Sequence, residues 1–359
     1  MRTMWPDLWH SRTSMELWLE ARASTRTALS SWLRTPAPHR DNIPMPSARQ
    51  ANVLAIVGPT ASGKSRLGME IAQVVGGEII GADSRQVYRH MDIGTAKPPV
   101  EDRQRVRHHL VDIIDPSDDY SVALYVRQAR DAIANVLRRG RVPIVVGGTG
   151  QYVWALLEGW NVPEVSPNPL LRDELQARIA REGLPTLVKD LEQTAPAAAK
   201  RVDLANPRRV IRALELALQD PNSEPEGPTR TPPPFQATVI GIEVDRARLY
   251  ERINARVDAM FEAGWVGEVE HLLNMGYGPG LSAMSSLGYR EICEYLRGEA
   301  TLKDAVETIK TKTRRFARQQ GAWFRTNDER IRWFSGEREG LDQAVEHACD
   351  SVGKRMDSR

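Results

Sequence analysis

The residues Gly58-Pro59-Thr60-Ala61-Ser62-Gly63-Lys64-Ser65 carry chemistry in their order. Glycines at the two ends of such a loop let backbone N–H groups turn toward one point. A helix starting at the lysine adds partial positive charge there. Lys64 then places a cation on a terminal phosphate, and the Ser65 hydroxyl can coordinate Mg²⁺. The spacing is that of a phosphate-binding loop, but it does not name the phosphates. A kinase or ATPase usually adds a metal-binding acid after a buried strand. The most apolar strand-like run, Val142-Pro143-Ile144-Val145-Val146, passes into Gly147-Gly148-Thr149-Gly150 with no acid. Asp83, after Glu78-Ile79-Ile80-Gly81-Ala82, is the acid best placed beside the loop. It could act as a base, hold a metal through water, or merely cap a turn. His108 and His109 lack a third ligand at metal spacing and are expected to be structural.

These groups need elements to position them. Short β-rich runs at 53–57, 78–82, 109–114 and 142–146 alternate with helical patterns at 64–75 and 122–139. Ser121 reads as the N-cap of the latter, and Gly140 as its end. Such alternation predicts an α/β fold, a parallel sheet flanked by helices, with functional groups at the carboxyl ends of the strands. Residues 161–205 read as a helical insertion and 206–218 as a strongly amphipathic helix, here assigned to the core. A Pro-rich loop spans 220–234. The sheet resumes at 237–244, Asp245 caps a helix at 246–263, and helices follow at 266–274, 285–297 and 301–325. In the last of these Leu302, Val306, Ile309, Phe316 and Trp323 form an apparent apolar stripe, while Lys310, Arg314, Arg315 and Arg318 lie off it. An edge strand is expected at 331–334 and a tail at 336–359 that forms a peripheral helix.

The chain has 359 residues, a formal net charge of +2 and two distant cysteines, Cys293 and Cys349. This composition suits a globular protein in a reducing cytoplasm and excludes a disulfide framework. No apolar run is long enough to span a membrane. Charge is local: residues 301–335 hold nine Lys or Arg against four Asp or Glu. Residues 1–50 contain four Trp, seven Arg and no Lys, and read as an appended, poorly ordered extension with a potential helix at 13–33. No additional apolar face stands out, so a monomer is expected.

The run Asp83-Ser84-Arg85-Gln86-Val87-Tyr88-Arg89-His90-Met91-Asp92-Ile93-Gly94-Thr95-Ala96-Lys97-Pro98 resembles the signature of the tRNA dimethylallyltransferases. Further stretches resemble the same family in order: 58–65, 108–116, 146–159, 206–216, 252–264, 286–299 and 314–325. The likeness spans about 51–335. It implies a P-loop NTPase-like core made of 51–160 and 206–335, with 161–205 as an insertion contacting tRNA. It also implies that residues 58–65 hold the diphosphate of dimethylallyl diphosphate, with Mg²⁺ at Ser65. The acceptor is then the N6 amine of the adenosine 3′ to the anticodon in a tRNA anticodon loop.

By the same resemblance, Asp83 is the catalytic base, Thr149 contacts the target base and Arg256 grips the diphosphate. Ser84, Arg85 and Gln86 belong to a tRNA-contacting segment beside Asp83. Members often carry Met, Ala or Leu where Arg85 stands, which leaves its role open. Arg208, Arg209, Val210, Ile211 and Arg212 match a second tRNA-contacting segment, and Arg172 a further position with spacing shifted by one. The compact bacterial form is implied, without a zinc finger. Two other readings stay open on the residues alone. One is a P-loop small-molecule kinase; the other is a non-catalytic RNA-binding protein with a vestigial loop.

Overall fold

A computed structural model of the protein describes residues 52–162, 168–219 and 229–353. The expected helix at 13–33 and most of the Pro-rich loop lie outside these described residues. Six strands make one sheet: β1 (Asn52–Val57), β2 (Gly77–Gly81), β3 (His108–His109), β4 (Val142–Val146), β5 (Gln236–Glu243) and β6 (Ile331–Ser335). Their order is β3-β2-β4-β1-β5-β6, and every neighbouring pair is parallel.

The strand residues explain the layering. Side chains alternate along a strand, so each central strand must be apolar on both faces of a covered sheet. Val53, Ala55 and Val57 face a cluster built by Tyr125 and Ile133 of α3 (Val122–Arg138) and Val153 and Leu156 of α4 (Gly150–Leu157). Leu54 and Ile56 face Leu67 and Ile71 of helix Lys64–Val75, which is α1. Ser121 caps α3 by accepting from Leu124 N, and Asp245 caps α9 (Arg246–Glu262) by accepting from Ala247 N and Arg248 N, as their positions predict.

Beyond the sheet, α9 joins α10 (Trp265–Asn274), α11 (Tyr289–Leu296) and α12 (Leu302–Trp323) around the buried Trp265. A separate cluster unites α5 (Pro169–Glu182), α6 (Leu184–Thr194), α7 (Pro196–Ala199) and α8 (Pro207–Gln219) through Leu187, Leu191, Val210 and Leu214. Thus α8, assigned from sequence to the core, packs with the helical insertion, because its apolar face meets α6 and not the sheet.

Five further differences have structural causes. The strand expected at 109–114 stops at His109, because Leu110 and Asp112 adopt φ of 60° and 58°, which breaks the pleat. A short helix, α2 (Val100–Arg105), follows Pro98-Pro99 where none was expected. The helix expected from 285 begins at Tyr289, after Gly288 with φ 93°. The helix expected in the tail is present as α13 (Arg338–Ser351), but it is not peripheral: Ala344, Ala348 and Cys349 pack into the α1 side of the sheet. Of the stripe read on α12, only Val306 and Ile309 pack inward: Leu302, Phe316 and Trp323 are 40%, 44% and 43% exposed, and the buried line runs through Ala305, Ile309, Ala317 and Gln320.

Candidate active site

Three connections meet at the carboxyl ends of β1, β2 and β4, beside the central strand where the sheet order reverses. The loop after β1 turns at Gly58, whose φ is 145° and whose Cβ, if present, would lie 2.9 Å from the Ile242 carbonyl oxygen of β5. Ala61 and Gly63 also take left-handed φ, 63° and 102°. Gly63 is the N-cap of α1, and no side chain accepts from the first turn. Those N–H groups are therefore open to an anion. Ala61 rests on Leu249, Ile253 and Ala317, so α9 and α12 support the loop from beneath.

Two cations converge there. Lys64 folds back to donate to the Pro59 carbonyl oxygen at 2.6 Å. Burial, and next the Arg256 charge, pull its pKa down to about 7 against the opposing pull of Asp83. Arg256, which sequence alone would leave on a solvated helix face, reaches inward from α9 to the Thr60 hydroxyl at 3.5 Å. Burial lowers its pKa, and Asp83 again opposes the shift. One carboxylate thus faces two desolvated cations.

Asp83 leaves β2 at the adjoining strand end. Its Oδ1 accepts from Arg85 N at 2.8 Å. The Thr149 hydroxyl accepts from Ser84 N at 3.0 Å, and Thr149 N donates to the Ala82 carbonyl at 3.2 Å. The β4 turn can press this closely on the β2 turn because Gly147 has no Cβ; one there would collide with the Ala82 carbonyl oxygen. The structure therefore brings together residues 58–65, Asp83, Ser84, Thr149 and Arg256.

Other sequence-selected residues are placed differently. The Gln86 amide donates to the Thr95 and Ala96 carbonyls at 3.1 and 3.0 Å, tying its own loop together. Arg85 reaches the Ser282 carbonyl at 3.1 Å. Arg172 and Arg212 both donate to the carboxylate of Glu215, at 2.7 and 2.5 Å, and Asn168 N donates to its other oxygen at 2.5 Å. Arg208 and Arg209 are exposed. The side chains of Val210 and Ile211 are buried in the insertion core, at 0% and 8% exposure, because they lie on the apolar face of α8. His109 sits against the Glu78 carboxylate at 2.7 Å, at the opposite ends of the strands.

Sequence reasoning missed three polar supports. Gln320 of α12 is 5% exposed and touches both the phosphate loop and the β4 turn. Glu268 accepts from the backbone N–H groups of Asp92, Ile93 and Gly94 and from the Tyr289 hydroxyl. Lys97 is buried between Asp92 and Asp112 and donates to the Tyr88 carbonyl. The one available signal was a polar residue, Gln320, falling on a helical apolar face.

This geometry meets its comparisons at the level of class: a parallel P-loop-bearing sheet with an acid and two cations at its strand ends. A family model described as IPP transferase matches residues 86–327, and one described as isopentenyl transferase matches residues 51–114. A tRNA dimethylallyltransferase of Roseiflexus castenholzii is 49% identical over 275 residues, 76% of this chain and 89% of that protein. One of Thermomicrobium roseum is 46% identical over 282 residues, 79% of this chain and 85% of that protein. The crystal structure of the tRNA isopentenylpyrophosphate transferase of Bacillus halodurans aligns with TM-score 0.62 and 36% identity, covering 85% of this chain and 97% of that one. A eukaryotic dimethylallyltransferase acting on tRNA aligns with TM-score 0.70 and 25% identity, over 86% of this chain and 81% of that one. The chain belongs to the IPP transferase family. It is a transferase, and the kinase and vestigial-loop readings fall away. Among the described residues no helix is long and apolar enough to cross a membrane.

Proposed function

We infer that the chain transfers the dimethylallyl group of dimethylallyl diphosphate to the N6 amine of the adenosine 3′ to a tRNA anticodon. The observation that carries this reading is the juxtaposition of Asp83 with the Lys64–Arg256 pair. The donor's C1–O bond breaks with its electron pair leaving on the diphosphate. The growing charge is met by the open N–H groups at the start of α1, by Lys64 and by Arg256. The adenine N6 forms the new bond to C1 and gives up one proton, which the Asp83 carboxylate accepts. Thr149, whose hydroxyl accepts from Ser84 N beside Asp83, is the residue we assign to contact the incoming base.

A divalent ion fits the donor set as a partner of the diphosphate. Among the described residues no cluster of three or more His, Cys, Asp or Glu side chains can cage an ion. Mg²⁺ is commonly held by one or two protein oxygens together with substrate phosphates. The Ser65 hydroxyl is exposed at the first turn of α1 and would hold Mg²⁺ in that way. When bound, the ion neutralises diphosphate charge.

The acceptor must leave its stack to reach a site at the strand ends, at a cost of about a few kcal/mol that is least for an unpaired base. That supports an anticodon loop over a duplex. Arg208, Arg209, and the Arg172–Glu215–Arg212 group place positive charge on the insertion, here taken as residues 168–219, for the tRNA backbone. We take the enzyme to act as a monomer. The test is direct: labelled dimethylallyl diphosphate, Mg²⁺ and unmodified tRNA, beside a tube carrying labelled ATP. Label on the tRNA supports the reading; ATP turnover without prenyl transfer overturns it.

A further inference from the structure

Donor and acceptor reach this site on two different loops, and one side chain joins them. The Gln320 Oε1 accepts from Thr60 N, in the phosphate loop, at 2.7 Å. Its Nε2 donates to the Gly148 carbonyl, in the turn after β4, at 2.9 Å. The next residue, Thr149, carries the contact onward, since its hydroxyl accepts from Ser84 N beside Asp83. Hydrogen bonds, joined through the Gly148–Thr149 peptide, therefore link the diphosphate loop through Gln320 to the segment beside Asp83.

Several observations separate this from ordinary packing. Gln320 lies on the buried line of α12, at a position where Ala305, Ile309 and Ala317 are apolar. Burying an amide is costly unless both its ends are satisfied, and here each end is spent on backbone of a different catalytic loop. Gly148 is the residue that permits the approach: a Cβ there would run into Nε2 of Gln320. Thr60 also receives Arg256 through its hydroxyl, so the amide and the guanidinium hold the same loop residue from two sides.

We propose that Gln320 is a positioning residue for the transfer: it fixes the spacing between the diphosphate loop and the Thr149–Asp83 segment. It touches neither substrate. The role rests on the prenyl-transfer reading. In-line transfer needs the attacking nitrogen in a near-attack position, and a misplacement of about 1 Å can cost about 10²-fold in rate.

Two variants attack the bridge from opposite sides. Gln320→Leu removes both hydrogen bonds at nearly constant volume. Gly148→Ala leaves the amide intact and pushes it away, at the flexible end of a side chain. The measurement is single-turnover transfer from labelled dimethylallyl diphosphate to tRNA with enzyme in excess, alongside tRNA Kd and thermal unfolding. A positioning role predicts a single-turnover rate constant lower by about 10²-fold in both variants, with full amplitude and tRNA Kd within about twofold. A structural role alone would reduce the amplitude and leave the rate constant of the surviving enzyme unchanged; that result overturns the proposal, as does a wild-type rate in either folded variant. Wild-type enzyme that transfers nothing overturns the proposed function, and this role with it; wild-type transfer with unaffected variants overturns the role only.

Discussion

In the proposed reaction Asp83 takes the proton and Lys64 meets the diphosphate, and each has its own measurable behaviour. Asp83→Ala removes the proton acceptor while leaving Thr149, Ser84 and the phosphate loop in place. General-base assistance is worth about 10²–10⁴-fold. We expect kcat to fall within that range and tRNA Kd to stay nearly constant; steady-state transfer and filter binding read the two quantities. Lys64 carries a pH signature. Its pKa in the free protein is about 7, lowered first by burial and then by Arg256. Above that value the free enzyme holds the neutral amine, and a bound diphosphate favours the ammonium. Diphosphate binding at about pH 8 therefore takes up a proton, and affinity falls as pH rises through the pKa. Calorimetry in buffers of different ionisation enthalpy measures that uptake. Equal heats in all buffers would remove the lowered pKa from the account.

At the scale of elements, the helical insertion stands or falls on its own core and on one buried carboxylate. Glu215 receives Arg172 of α5, Arg212 of its own helix α8 and the backbone N–H of Asn168. Glu215→Ala leaves those donors without their acceptor, at a cost of about 1–3 kcal/mol. The expected outcome is earlier unfolding of 168–219 by hydrogen exchange and weaker tRNA binding, with diphosphate binding unchanged. Leu187, fully buried between the insertion helices, sets the apolar counterpart: Leu187→Ala costs about 2–5 kcal/mol, read by denaturant unfolding. The register of α12 shows why such elements resist sequence reading. Phe316 and Ala317 are adjacent, and a helical stripe drawn through either looks plausible. Tertiary packing places Ala317, not Phe316, in the buried cluster against Ala61 of the phosphate loop.

Across the whole molecule, legibility followed the range of each interaction. The phosphate loop, Asp83, Ser121 and Asp245 were readable because their physics is local: a turn, a strand end, an N-cap. The parallel sheet followed from Val- and Ile-rich runs that had to be covered on both faces. Arg256 needed the family resemblance, since a lone arginine on a polar helix face does not reveal that it turns toward Thr60. Gln320, Glu268 and the packing of α8 were not legible, because each depends on a partner far away in sequence; Gln320 and Thr60 are separated by 260 positions. Charge is likewise a property of the assembled surface. Arg208 and Arg209 are exposed on the insertion. If they meet tRNA phosphates, replacing each by alanine lowers the slope of log Kd against log salt by about one and leaves sequence preference unchanged. Titration of tRNA binding at several salt concentrations gives that slope.

The central claim is that the loop 58–65 holds a leaving diphosphate and that an adenine amine displaces it. Its most direct test is to react wild-type protein with Mg²⁺, dimethylallyl diphosphate and an unmodified tRNA, digest the tRNA, and map the product by mass spectrometry while counting released diphosphate. The account predicts a C5H8 increment on the adenosine directly 3′ of the anticodon, with one diphosphate released for each group transferred. An unmodified adenosine after complete release of diphosphate, or an increment elsewhere in the tRNA, would contradict it.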